Sequence, residues 1–380
     1  MSSTLSPFRS WPRAILLTIP IAIWGLLMMT PALGGRDGVL KGTAFLSEVF
    51  MIGLFLLMMR TGKTHRWRLI FFVALGFLFP AGFIINLVKL RGSMSLPVEH
   101  IISGDTPFCF MVIPMTIIPA ALNRVLIFPG SILPTASNPH AVASMVAIWM
   151  AATLVLGKAW CAYGCFFGGI EEGFAWFRRR PVLKLLNPMF RYGPWAVLVT
   201  IVLFSAATFA PTYCEWLCPF KAVTEFPEIA SGRALLQAVI FFSLFLGLVV
   251  ILPLLTKKRT QCAFFCPFGA FQSLFARISP FRIRIEREAC KDCGICERAC
   301  PNFSLDAEVL AQGTTRLSCM RCGACVDACT TGAARWHVIG TQATPERARL
   351  LFLYAGWGFA CLFGGSIIAS SLASLVHLFA

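Results

Sequence analysis

CKDCGICERACP, residues 290–301, and CMRCGACVDACT, residues 319–330, decide how this chain is read. Each run has the spacing C-x2-C-x2-C-x3-C. Thiolates are soft, anionic ligands that suit iron–sulfur clusters. Three cysteines in so tight a loop can hold one face of a [4Fe-4S] cube, and in this spacing the fourth ligates the other cube. The expected sets are therefore Cys290, Cys293 and Cys296 with Cys329, and Cys319, Cys322 and Cys325 with Cys300. Zinc sites usually pair two short knuckles across a longer loop. Disulfide frameworks belong mostly to small secreted domains. Neither alternative accounts for two complete four-cysteine runs. Thr330 stands where a proline usually closes the second run, which changes the chain exit and removes no ligand.

Around this polar segment the chain is apolar. Of 380 residues, 57% are hydrophobic and only 13% charged. The mean hydropathy is +0.76. A bilayer crossing needs about 17 to 25 apolar residues, and such stretches occur near 14–33, 43–60, 69–88, 141–157, 195–213, 234–255 and 350–378. The first follows basic residues, as a signal peptide does, but Ile15 to Leu33 is longer than a signal core and reads as a retained crossing. The stretch 107–122 is also apolar, but Pro107, Pro114 and Pro119 interrupt it. It reads as broken or re-entrant. With that assignment, 26 of the 33 lysines and arginines fall on one side of the membrane. Such an excess marks the cytoplasmic face. The expected fold is an all-α polytopic membrane protein of seven transmembrane helices and one broken segment. The N-terminus lies in the cytoplasm and the C-terminus in the periplasm. The net charge of +16 is then explained by orientation against lipid, and no nucleic-acid partner is expected.

The chain divides into a transmembrane bundle (1–256), a linker (257–280), a two-cluster ferredoxin-like α+β domain (281–340) and a C-terminal transmembrane helix (341–380). The ferredoxin-like domain is expected in the cytoplasm, where thiols stay reduced. Sixty residues bury too little apolar surface to fold securely alone, so its clusters would act as the staple.

A second cysteine pattern recurs three times: WCAYGCFFGGIEEGF (160–174), YCEWLCPFKAVTEF (213–226) and QCAFFCPFGAFQSLF (261–275). Each is C-x3-C at the end of a crossing, followed by an apolar, helix-like tail. One reading makes these pairs ligands of further clusters at the membrane surface. Others make them small core residues or a redox dithiol. On the expected topology Cys161, Cys165, Cys262 and Cys266 share the cytoplasmic face and could form a third four-thiolate site. Cys214 and Cys218 fall at the outer face, with Cys109 the best candidate for a third ligand of a fourth cluster.

The stretch CAFFCPFGAFQSLFARISPFRIRIEREACKDCGICERACP (262–301) resembles the membrane polyferredoxins. These include the quinol-side subunit of periplasmic nitrate reductase systems and the membrane electron donor of nitrous-oxide reductase. The likeness covers about 158–340. It implies electron transfer between a quinone pool or cytoplasmic donor and a partner redox enzyme, and carries onto Cys214, Cys218, Cys262, Cys266 and the eight ferredoxin cysteines. Cys161–Cys165 departs from it, because Phe166 replaces the proline. The short outer loops carry no flavin-linked domain, which argues against the nitrous-oxide role.

Two further residues are candidates for a proton or quinone role. Glu48 lies about one turn inside the second crossing, where a carboxylate is functional by default. His100 lies in the outer loop before the broken segment. No C-x-x-C-H haem attachment site and no nucleotide fingerprint is present. The reading is an inner-membrane electron-transfer subunit carrying two [4Fe-4S] clusters and one or two more. An accessory reductase for maturing a metalloenzyme, or a redox-sensing regulator, are the alternatives.

Overall fold

The computed structural model describes residues 10–34, 37–89, 113–114, 142–178, 180–183, 187–208, 212–224 and 231–379. It is mostly helical. The principal elements, in chain order, begin with α1 (Trp11–Gly34), α2 (Gly38–Thr61) and α3 (Thr64–Lys89). Then come α4 (Val142–Leu156), α5 (Phe166–Phe177), α6 (Gly193–Thr208) and α7 (Gly232–Leu244), which runs on through a π-helical stretch Phe245–Ile251 to Thr256. Helix α8 (Pro267–Phe275) leads into strand β1 (Phe281–Ile285), short helices α9 (Ile295–Ala299), α10 (Ala307–Ala311) and α11 (Ala324–Ala328), and strand β2 (Ala334–Val338). The last helix is α12 (Pro345–Ala360), a π-helical turn Cys361–Gly365, and α13 (Ser366–Phe379).

Among the described residues, six helices are long and apolar enough to cross a membrane: Trp11–Thr30, Gly38–Thr61, Val146–Tyr163, Met189–Thr208, Gly232–Thr256 and Pro345–Leu378. Each overlaps one expected crossing. The stretch expected at 69–88 lies in α3, which contains Pro80. Only Ile113 and Pro114 of the broken segment are described, and His100 and Cys109 lie outside the described residues.

One placement changes. Helix α2 starts at Gly38 and not near 43, because the Asp37 side chain accepts from Val39 N at 2.9 Å and caps it. Glu48 is therefore roughly 15 Å along the helix, near its middle and not one turn from its end. The helix stops where Gly62, at φ 74°, returns its N–H to Met58 O.

Two compact units emerge. One comprises 1–85, 155–173 and 277–380; the other 86–154 and 174–276. In the first, α1, α2 and α13 pack together, and Trp357 donates to Met51 O at 3.2 Å. Strand β1 pairs antiparallel with β2, Phe281 opposite Val338 and Ile285 opposite Ala334. The strands alternate as a half-buried ribbon should: Phe281, Ile283 and Ile285 are buried, and so are Ala334, Trp336 and Val338. Phe352 of α12 stacks on Trp336 at 4.3 Å and meets Phe281 edge-on at 5.4 Å. The polar domain is thus seated on the last apolar helix. In the second unit α8 packs on α6. Trp149 stacks on Phe271 and donates to Gln272 Oε1 at 2.7 Å.

Candidate iron–sulfur site

The two four-cysteine loops adopt one backbone twice. In each, the residue before the second cysteine has positive φ: Asp292 at 47° and Arg321 at 53°. The glycine after it is left-handed too, Gly294 at 66° and Gly323 at 81°, a conformation glycine adopts at no steric cost. A one-turn helix follows, α9 or α11, and its C-cap is the fourth cysteine in extended conformation: Cys300 at φ −68°, ψ 116° and Cys329 at φ −72°, ψ 112°. Helices α9 and α11 pack on each other.

Cys300, Cys319, Cys322 and Cys325 line one cavity together with Ile283 and Met320. It encloses about 320 Å³, counting space open to solvent. Three of these cysteines come from the second run and one from the first. Among the described residues, no three His, Cys, Asp or Glu side chains converge closely enough to hold a single metal ion. Zinc–thiolate bonds of about 2.3 Å would draw four sulfurs onto one point. A ring of sulfurs around a cavity suits a four-iron cube instead, so the donor set fits the group.

Burial pushes the Cys322 thiol up to about 12, with the Arg68 guanidinium pulling the other way. Cys325 is pushed well above the usual thiol range by burial and then by Cys319, Cys322 and Cys300. Three buried sulfurs and the half-buried Cys319 cannot all be anions here without a cation among them. The other set is wetter. Cys296 is raised by burial, and its neighbours Cys329 and Cys290 add to that. At Cys329 burial acts upward, but hydrogen bonds outweigh it and the thiol falls; one comes from Ala334 N at 3.5 Å. Cys293 is exposed. Cys300 Sγ accepts from Ser304 N at 3.3 Å, the kind of contact that tunes a cluster.

Charged groups that the sequence reading did not single out surround the buried set. Arg68 of α3, fully buried, pairs with Glu172 of α5 at 2.5 Å and donates to Ala162 O, inside the first C-x3-C motif, at 2.8 Å. Arg321 is 3% exposed; it donates to Leu156 O and, at 3.1 Å, to Ser279 Oγ. Asp327 Oδ2 accepts from His65 N at 2.7 Å, closing the first turn of α3.

The C-x3-C pairs share a local design. The second cysteine precedes a new helix and satisfies an open amide: Cys165 Sγ accepts from Gly168 N and Cys266 Sγ from Gly269 N, both at 3.4 Å. Cys218 has the same extended backbone as Cys266, with φ −79°, ψ 107° against φ −71°, ψ 110°. Phe166 in place of proline leaves the sulfur-to-amide bond of Cys165 in place. Arg259 Nη2 donates to Cys262 Sγ at 3.2 Å. Cys161 and Cys165 belong to the first unit, and Cys214, Cys218, Cys262 and Cys266 to the second.

Comparison with known proteins matches this division of the cysteines. A 4Fe-4S dicluster domain model matches residues 282–330. A 4Fe-4S binding domain model matches three times, at 138–184, 193–235 and 238–286, one C-x3-C pair in each window. The uncharacterized protein MJ0749 of Methanocaldococcus jannaschii is 34% identical over 214 residues, covering 54% of this chain and 74% of that protein. The chain belongs to the membrane polyferredoxins. It is an iron–sulfur protein. The putative electron transport protein YccM of Escherichia coli K12 is 26% identical, with 60% of this chain and 64% of YccM covered. The ferredoxin-type protein NapH of the same organism is 27% identical, with 47% of this chain and 63% of NapH covered. The chain thus spans a little under two thirds of YccM and of NapH. No solved structure matches it.

Proposed function

We propose that this polyferredoxin relays single electrons between a quinone pool or cytoplasmic donor and a partner redox enzyme in the same membrane. The observation that carries the reading is the cavity ringed by Cys300, Cys319, Cys322 and Cys325. In this reading those four hold one [4Fe-4S] cluster, and Cys290, Cys293, Cys296 and Cys329 hold the other. The C-x3-C pairs contribute thiolates to one or two more. The clusters, when bound, supply one-electron storage and transfer. The chain holds their ligands apart, excludes water from the second set, and offsets thiolate charge with Arg68 and Arg321. The names of YccM and NapH, an electron transport protein and a ferredoxin-type protein, support the assignment.

Seven crossings complete the proposal, α3 being the seventh, with the ferredoxin-like domain 281–340 in the cytoplasm of an inner membrane. The excess of lysine and arginine on that side supports it. The test is iron and sulfide analysis of anaerobically purified protein. About eight irons per chain correspond to the ferredoxin runs alone, and about twelve or sixteen to one or two further cubes. Cys322→Ser should lower the count by about four. A colourless protein after reconstitution, or one holding only zinc, would sink the reading. Rapid reoxidation by quinone analogues would place the quinone pool in the path.

A further inference from the structure

Glu48 has no part in the cluster chemistry, and its surroundings are unusual. It lies near the middle of α2, 3% exposed, in a helix apolar enough to cross a membrane. Neither carboxylate oxygen has a hydrogen-bond partner among the described residues. Two other elements close on it. From α1 the contact is Gly25, where a Cβ atom would collide with the Glu48 carboxyl group. From the last helix it is the π-helical turn Cys361–Gly365: Ser47 donates to Gly365 O at 2.9 Å, and Cys361 interacts electrostatically with Glu48. π-Helical turns are rare and frequently mark functional sites.

Among the described residues, no ion pair is formed by the carboxylate. Cys361 is the titratable group that faces it from the last helix, and Gly25 is the α1 residue against its carboxyl group. On α2 itself Lys41 and Arg60 stand roughly 10 and 18 Å away along the axis. An ionised carboxylate left unpaired in apolar surroundings is strongly disfavoured and takes up a proton instead.

We propose that Glu48 is an intramembrane proton-binding site, holding one proton as a neutral carboxylic acid packed against the side-chain-free face at Gly25. The step is a simple one: the carboxylate binds one proton and no electron moves. The site stands independently of how many clusters the chain carries. It equips the protein to hold a proton within the bilayer beside its electron relay.

Infrared difference spectroscopy of the full-length protein in detergent, wild type against Glu48→Gln, tests the protonation state directly. The expected result at pH 7 is a carboxylic-acid C=O band, present in the wild type, absent from Glu48→Gln, and shifted in heavy water. Carboxylate bands in its place would overturn the proposal. Dicyclohexylcarbodiimide, an apolar reagent that adds to protonated carboxyl groups, supplies a second readout. The Glu48 peptide should gain the mass of one carbodiimide, Glu48→Asp should still be labelled, and labelling of that peptide should fall at least tenfold in Glu48→Gln. Protection of Glu48 by sodium ions would mean that the carboxylate binds a metal cation, and would also overturn it.

Discussion

The two cysteine loops of the ferredoxin-like domain share a spacing, a pair of left-handed residues and a one-turn helix, yet they sit in opposite surroundings. In the first set Cys293 is exposed and Cys290, Cys296 and Cys329 are half-buried. In the second, Cys322, Cys325 and Cys300 are buried, and Arg68 acts on Cys322 and Arg321 on Cys319. The backbone of such a loop is a local matter, decided within a dozen residues. The environment is not local: Arg68 lies more than 200 residues before Cys322. Identical loops can therefore carry clusters of different potential, because net charge, hydrogen bonding and solvent exposure set it. The wet set is the side open to solvent, and the dry set is the side toward the first C-x3-C motif, through Arg68 and Ala162.

The most disruptive way to test this asymmetry is Arg68→Ala. It strands Glu172 in the interior, and breaking a buried pair in this way costs about 3–5 kcal/mol. Denaturant unfolding should show that loss, and Arg68→Lys should recover part of it. Redox titration followed by electron paramagnetic resonance should show one cluster shifted to lower potential by on the order of 60 mV, a tenfold change for one electron. Loss of a positive charge disfavours the added electron. Both clusters moving together would erase the distinction.

Next in size is Arg321→Met. The Leu156 carbonyl and Ser279 hydroxyl lose a charged donor, worth roughly 1.5–3 kcal/mol, and the same dry cluster should shift in the same direction. A smaller, kinetic effect concerns iron loss to an external chelator. Iron should leave in two phases, and Cys293→Ser should remove the fast one. Equal rates would contradict the difference in exposure. The smallest effect is expected for Arg287→Ala. Its ion pair with Asp292 lies in the open, with side chains 42% and 61% exposed. Surface pairs contribute little, so melting temperature should not change measurably.

Much of this was legible in the chain. The eight cysteines announced their loops because metal ligation demands fixed spacing, and the apolar stretches announced six of the helices because a bilayer demands fixed length. The start of α2 was misplaced because Asp37 caps the helix five residues earlier, and in that stretch Gly38, Lys41 and Gly42 hold the hydropathy down. Arg68, Glu172 and Arg321 gave no usable signal. A charged residue near an apolar stretch reads as a topology anchor, and a partner 104 residues away cannot be read from local pattern. The unpartnered state of Glu48 was equally hidden, since it depends on Gly25 and on a π turn contributed by the far end of the chain.

One feature of the fold bears on how such a protein could have arisen. Strands β1 and β2 are the first and last elements of the ferredoxin-like domain, and Phe281 lies directly across the ladder from Val338. The two ends of the whole cassette are therefore about 5 Å apart. A polypeptide that enters and leaves through one narrow gate can be spliced into a loop, or excised from it, while the helices on either side keep their places.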